Sequence, residues 1–295
     1  MGLNLKRTMK SVAVDGARLS DSIGADFVTR RLLKKIQISY DASPAGIRYP
    51  GNARGAACIS IDFDVTRNER YGPSRAGTEK LLELSERYEI PLTWAICGKT
   101  AVEEAESYNR ILNSPTKQEI GIHTYSHIDA LKCSAAEFEE DIGRCLDALN
   151  LRSAPRTFIF PWNRENHFEV LRRMGFKTYR GKERVIGPPD HSMGLWNERP
   201  VFYVDQKSYG AESLMMKYAD LCARTSAVFH LWTHPWSIVI REDPNPMFKT
   251  LDPVFSHLRD MRQRGDLAVC TMGEIADHFD SVGASAAMRG AAQSS

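Results

Sequence analysis

The sequence predicts a parallel α/β fold, either a barrel or an open doubly wound sheet, on two observations. From residue 56 onward, about seven short apolar segments alternate with longer segments of helical period. The chain of 295 residues is also long enough to bury one sizeable core. Periodicity alone does not choose between the two architectures.

Taken in order, AACISID (Ala56–Asp62) reads as a buried strand ending on a carboxylate, followed by a helix over Ser74–Tyr88 with Leu81, Leu82 and Leu84 on its apolar side. A strand at Pro91–Cys97, a helix near Ala101–Leu112 and a strand at Glu119–His123 come next. Ala135–Leu149 keeps a helical stripe through Phe138, Ile142, Cys145, Leu146 and Leu149, with Ser134 placed to cap it. Arg156–Phe160, His167–Met174 and Phe176–Tyr179 continue the strand–helix–strand rhythm. Residues 181–210, rich in Gly and Pro, read as a long loop on the active side plus a short strand near Val201–Val204. Helices at Ala211–Arg224, Phe248–Arg264 and Met272–Phe279 alternate with strands at Ala227–Trp232 and Leu267–Val269.

The ends differ from this middle. Residues 1–35 carry eight Lys or Arg against three Asp, and Val28, Leu32 and Ile36 recur at four-residue spacing. A basic amphipathic helix there could touch an anionic membrane or substrate, but a first helix packed on the main domain is the preferred reading. Residues 1–55 are thus taken as a basic extension and lead-in, 56–281 as the folded domain, and 282–295 as a disordered tail.

Composition removes several function classes. Lys and Arg total 39 against 37 Asp and Glu, so the sequence lacks the basic excess of a nucleic-acid binder. The six cysteines form no C-x-x-C pair and read as reduced thiols. MGLNLKRTMK has no apolar run behind its basic residues, and Lys6 stands where a myristoylation signal needs Ser or Thr. No apolar run approaches the ~20 residues of a membrane span. A cytoplasmic location is the expectation, with peripheral membrane contact and oligomeric state left open.

The chemistry gathers at strand ends, where parallel α/β folds place their sites. One strand ends in Asp62-Phe63-Asp64, another in His123-Thr124-Tyr125-Ser126-His127, a late one in His230-Leu231-Trp232-Thr233-His234. If the segment after His123 turns helically, the imidazoles of His123 and His127 share a face and can reach one metal, which a carboxylate would complete as an open, catalytic type of site. Two surface histidines are the plain alternative for that pair. Asp62 and Asp64 converge if the strand persists, one as ligand and one as base; two helix-capping aspartates are the alternative. His234, at a strand end, suits a general acid, whereas His230 inside the strand pattern fits a structural histidine. Trp232 and Trp236 could wall a pocket or simply pack.

In this order the motifs resemble those of the NodB-homology polysaccharide deacetylases, carbohydrate esterase family 4, over roughly residues 56–280. S-I-D-F-D resembles that family's T-F-D-D motif with the carboxylates spaced by one residue, which implies Asp62 as base and Asp64 as ligand. H-[ST]-x-x-[HS] is matched by His123, Thr124 and His127, implying the imidazole ligands. R-x-P-[YW] corresponds to Ile159-Phe160-Pro161-Trp162, implying an oxyanion contact from the Trp162 backbone N–H, and Leu231–His234 corresponds to the strand that ends in the acid, His234. The implied fold is a distorted (β/α) barrel of seven or eight strands with an N-terminal extension.

Two departures mark a divergent branch. Ile159 stands where the third motif has an Arg that orients the catalytic Asp, with Arg156 and Arg164 as candidate substitutes. The fourth motif, Asp-x-x-Asp-Trp, has no match; Asp190 and Asp205 are candidates. The resemblance implies a metal-dependent deacetylase acting on a small-molecule or glycan substrate. Zn²⁺ is the first-choice metal, ahead of Co²⁺, Mn²⁺ or Ni²⁺. An N-acetyl on an amino sugar is expected, in a glycan, sugar nucleotide or lipid-linked intermediate. A hydrolase of another linear or cyclic amide, or a barrel that binds without turnover, are the rivals.

Overall fold

A computed structural model describes residues 39–40, 46–64, 74–239 and 245–293. The amphipathic stripe at Val28, Leu32 and Ile36 lies outside the described residues.

Ten strands form the main sheet: β1 (Gly55–Phe63), β2 (Leu92–Ile96), β3 (Gln118–Ile122), β4 (Thr157–Ile159), β5 (Thr178–Arg180), β6 (Asp190–Ser192), β7 (Leu195–Asn197), β8 (Phe202–Val204), β9 (Val228–Thr233) and β10 (Leu267–Val269). Their spatial order is β8–β9–β1–β2–β3–β4–β5–β7–β6, with β10 also paired to β1. Every pairing is parallel except the β6–β7 hairpin. Ser39–Tyr40 and Val185–Ile186 form a separate parallel pair.

The sheet curls into an incomplete barrel. β1 and β5 are four ladders apart, which in a flat sheet would separate them by about 19 Å. Yet Arg180 at the end of β5 bonds directly to Asp62 on β1, so the strand ends converge on one interior.

Alternation along each strand divides the side chains between two layers. On β1, Ala57, Ile59, Ile61 and Phe63 join the large core shared with the helices, while Ala56 and Cys58 face the smaller inner cluster and Ser60 and Asp62 continue that inner row. The inner cluster includes Ile159 of β4. All nine β1 residues are buried, which is why the strand reads as a nearly continuous apolar run.

The helices are α1 (Ser74–Tyr88), α2 (Gly98–Glu103), α3 (Ala105–Leu112), α4 (Ala135–Leu149), α5 (Phe168–Arg173), α6 (Glu212–Thr225), α7 (Asn245–Gln263) and α8 (Met272–Gln293). Ser134 starts α4 with a capping box: its hydroxyl accepts from the Glu137 N–H at 3.3 Å, and the Glu137 carboxylate accepts from the Ser134 N–H at 2.8 Å. α1 presses against the turn that follows β9, where a Cβ on Gly77 would lie 1.9 Å from the Pro235 carbonyl oxygen. Only glycine permits that approach.

Two segments differ from the sequence expectation. Residues 181–210 contain the β6–β7 hairpin, turned at Gly194 in the left-handed region; strands of three residues are too short for a periodicity to show. α8 keeps helical backbone to Gln293, where a disordered tail is expected, on a run rich in alanine, the strongest helix former. No helix among the described residues is long and apolar enough to cross a membrane.

Candidate active site

Asp62 ends the inner row of β1 and is 3% exposed. Arg180 donates to it twice, Nη1 to Oδ1 and Nη2 to Oδ2, each at 2.6 Å. Burial pushes the Asp62 carboxyl upward, but the Arg180 charge and hydrogen bonds, with His123 and His234, bring it below its ordinary value. Asp62 is therefore an ionised carboxylate in a planar, bidentate clamp.

Asp64 lies just past the strand end. Its Oδ1 accepts from the Trp236 indole N–H at 2.7 Å, and its Oδ2 is 3.2 Å from Nε2 of His127. Burial again opposes ionisation and is outweighed by His234, His127 and His123, so this carboxyl also sits well below its usual range.

His123 follows β3 and is 1% exposed. Its Nδ1 donates to the Ile159 carbonyl at 2.7 Å. That fixes the tautomer and leaves the Nε2 lone pair free for a metal. Burial, assisted by His127, lowers its pKa to about 4 against the pull of Asp62 and Asp64, so the ring is neutral.

The segment from His123 to His127 does not turn helically. Thr124 and His127 both adopt left-handed backbone, at φ of 61° and 60°. Asp141 of α4 holds the bend, its Oδ2 accepting from the N–H groups of Tyr125 (2.8 Å) and Ser126 (3.0 Å). α2 adds N–H donors to the carbonyls of Thr124 and Tyr125. The two imidazoles still meet, with ring centres 4.8 Å apart.

One ligand atom from each of Asp64, His123 and His127 lies within 4.8 Å of the others. Two neutral-capable imidazoles and one carboxylate, with an outer carbonyl fixing His123 and an indole fixing Asp64, fit a divalent metal with positions left open.

His234 caps β9. Its Nε2 lies 3.8 Å from Oδ2 of both Asp62 and Asp64, its Nδ1 is 3.3 Å from the Tyr203 hydroxyl, and its ring stacks on Trp236 at 4.3 Å. Trp162 has left-handed backbone (φ 60°) and is 64% exposed, its ring centre 4.8 Å from that of His127. Pro161 beside it is buried. Trp232 stands behind the clamp, 4.0 Å from the Arg180 guanidinium.

Residues 51–179 match the family model for polysaccharide deacetylases. A curated relative, peptidoglycan deacetylase from Helicobacter pylori, is 27% identical over 145 residues, covering 48% of this chain and 44% of that protein. Over that stretch the chain resembles the polysaccharide deacetylases. It spans less than half the length of that curated relative. Among solved structures, a Mycobacterium smegmatis protein provisionally described as a polysaccharide deacetylase aligns at a TM-score of 0.62 and 16% identity, covering 82% of this chain and 96% of that one. A carbohydrate esterase family 4 pseudoenzyme from Bacillus anthracis aligns at 0.52 and 14%, covering 83% of this chain and 72% of that one. At these identities the structural matches show the fold alone.

Against the deacetylase motifs, the structure brings Asp62, Asp64, His123, His127, Trp162 and His234 to one end of the barrel and fills both departures from elsewhere. Arg156 pairs with Asp277 and Arg164 with Asp129, so neither reaches Asp62. Arg180, one residue beyond the strand expected at Phe176–Tyr179, does. The parallel ladder places it beside Ile159, one strand over on the same inner face. The signal was available: Thr178 and Arg180 share the inward parity of β5, and a charged residue there needs a buried partner. Asp190 faces Arg199 and Asn197, and Asp205 caps the turn at Gln206–Ser208, so neither meets His234. A phenol, Tyr203 of β8, stands at its Nδ1 instead.

Proposed function

We propose that the chain is a metal-dependent hydrolase that removes an N-acyl group, most simply N-acetyl, from an amino sugar in a glycan or glycan precursor. The observation that carries this reading is the clamped, ionised Asp62 facing His234 across 3.8 Å, directly beside the Asp64, His123 and His127 donor set.

In this reading Asp64, His123 and His127 hold a divalent ion, Zn²⁺ being the first choice for two imidazoles and a carboxylate. Such an ion supplies Lewis-acid polarisation and acidifies water at neutral pH. Asp62 accepts the proton of the attacking water; Arg180 keeps its carboxylate ionised and fixes both oxygens, so the base has one orientation. The Trp162 backbone N–H, turned by the left-handed Trp162 behind Pro161, is offered as a donor to the oxyanion. His234 gives a proton to the departing amine nitrogen, without which an amide nitrogen leaves poorly. The exposed Trp162 ring provides an apolar face on which a sugar can stack, while Trp232 closes the wall behind the clamp.

A barrel that only binds its ligand would need neither base nor acid, and the 3.8 Å approach of the His234 imidazole to the Asp62 carboxylate favours hydrolysis over binding alone. Asp62→Asn is the test. It should retain metal and release acetate at least about 100-fold more slowly; release at the wild-type rate contradicts the role of Asp62.

A further inference from the structure

The barrel interior beneath Asp62 is polar. Ser60 and His230 are fully buried and Glu198 is 1% exposed. Their hydrogen bonds run in one direction. The Glu198 backbone carbonyl can only accept, so His230 Nδ1 donates to it at 3.2 Å. The free Nε2 lone pair then accepts from the Ser60 hydroxyl at 2.8 Å. The Ser60 oxygen accepts in turn from Arg180 Nη1 at 3.1 Å, the same nitrogen that donates to Asp62. On the other arm of the guanidinium, Nη2 donates to Asp62 and to the Asn163 side-chain oxygen at 3.2 Å. The fork is thus tied below by Ser60 and sideways by Asn163, and cannot slide along the carboxylate.

The chain of bonds needs a neutral imidazole. Burial, then the Arg180 charge, lowers the His230 pKa to about 3, so the ring is neutral throughout the physiological range.

Cys58, Glu198 and His230 also form a second group whose ligand atoms lie within 4.8 Å of one another. Each donor is already engaged. Both His230 nitrogens are bonded, Thr178 donates to the Glu198 carboxyl at 3.1 Å, and Cys58 Sγ lies 3.6 Å from its other oxygen. Burial pushes both the Cys58 thiol and the Glu198 carboxyl well up, toward their neutral forms. Satisfied neutral groups near a fixed guanidinium make a hydrogen-bond network, not an ion site.

We propose that Ser60 and His230 are positioning residues for hydrolysis, holding the Arg180 guanidinium from below so that Asp62 keeps its attacking geometry. This rests on the function proposed above, and small misplacements of a base are costly.

The test compares wild type with Ser60→Ala, His230→Gln, His230→Leu and the Ser60→Ala/His230→Leu double variant. Acetate release from an N-acetylglucosamine oligomer, metal content and thermal melting are measured for each. Ser60→Ala and His230→Leu should each lower kcat by about ten- to a hundred-fold with KM and metal content unchanged. His230→Gln, which keeps one donor and one acceptor, should regain part of the loss. The double variant should be no worse than the poorer single one, because both act through Arg180. Unchanged kcat in folded variants, or multiplying losses, overturns the proposal.

An activity-independent readout separates it from the function itself. If wild type releases no acetate, the deacetylase reading falls, and nitrogen NMR of labelled histidine still decides the network. A neutral His230 ring protonated on Nδ1, with an Nε2 resonance that moves in Ser60→Ala, supports it. An Nε2-protonated ring or an imidazolium at pH 7 overturns it. So does a second equivalent of Co²⁺ with a thiolate charge-transfer band that Cys58→Ser abolishes.

Discussion

Arg180 stands beside Ile159 in the parallel ladder, and its guanidinium holds Asp62 through two 2.6 Å hydrogen bonds. Ile159 occupies the third-motif position where the resembled family carries its arginine. Arg180 thus stands one strand along from that position, at the same height on the barrel axis, and bonds to Asp62.

That adjacency predicts a swap. Arg180→Leu strands a buried carboxylate, which should cost about 3–5 kcal/mol of stability and lower activity. Adding Ile159→Arg in the same chain should recover part of both, because the Ile159 side chain already faces the interior. Thermal melting and acetate release read the outcome; a double variant as impaired as Arg180→Leu contradicts an equivalence of the two positions.

Trp236 predicts a metal effect distinct from that of the ligands. Asp64→Ala and His127→Ala should lose metal and activity together. Trp236→Phe removes the indole donor to Asp64, and should weaken metal affinity by about 10–100-fold while leaving kcat at saturating metal nearly intact. Competition with a chelator measures the affinity.

The bend at Thr124–His127 depends on Asp141. Asp141→Ala leaves the Tyr125 and Ser126 N–H groups without their acceptor and should cost about 1–3 kcal/mol. Two left-handed, non-glycine residues would lose their restraint, so metal affinity should fall as well. Melting curves in the presence and absence of metal separate the two effects; a metal-free melting temperature equal to wild type contradicts the account.

Glu198 makes a pH prediction. Burial raises its carboxyl pKa in the folded chain, so the native state holds a proton that the unfolded chain releases at about pH 4.3. The associated stability is complete below that pH and is lost as the pH rises toward the folded value. Glu198→Gln, which cannot ionise, should gain stability relative to wild type from pH 5 to pH 9. Melting temperatures across that interval test it, and a constant difference rules it out.

Much of this fold can be read from the sequence wherever one residue's environment repeats along an element. The bounds of α1 and α4 follow from their apolar stripes, and Ser134 with Glu137 marks the start of α4. The acid and histidine cluster is legible because each member closes an apolar strand. What escapes is set by partners distant in sequence. Arg180 reads as an ordinary charge at a strand exit until the sheet curls and brings it to Asp62, 118 positions away. Tyr203 reads as a strand aromatic until β8 and β9 pair and place it at His234. The bend after His123 is shaped by Asp141, a residue of the next helix, so the local sequence suggests a helical turn that does not form. His230, which reads as a structural histidine, is buried as expected, and its bonds lead through Ser60 to the Arg180–Asp62 pair.

The most direct test of the central claim is metal content measured alongside acetate release from N-acetylated sugars, for wild type and the His123→Ala/His127→Ala variant. The account predicts close to one divalent ion per wild-type chain, acetate as product, and the loss of both in the variant. A wild-type protein that takes up no metal after reconstitution, or that keeps its metal without His123 and His127, would contradict it.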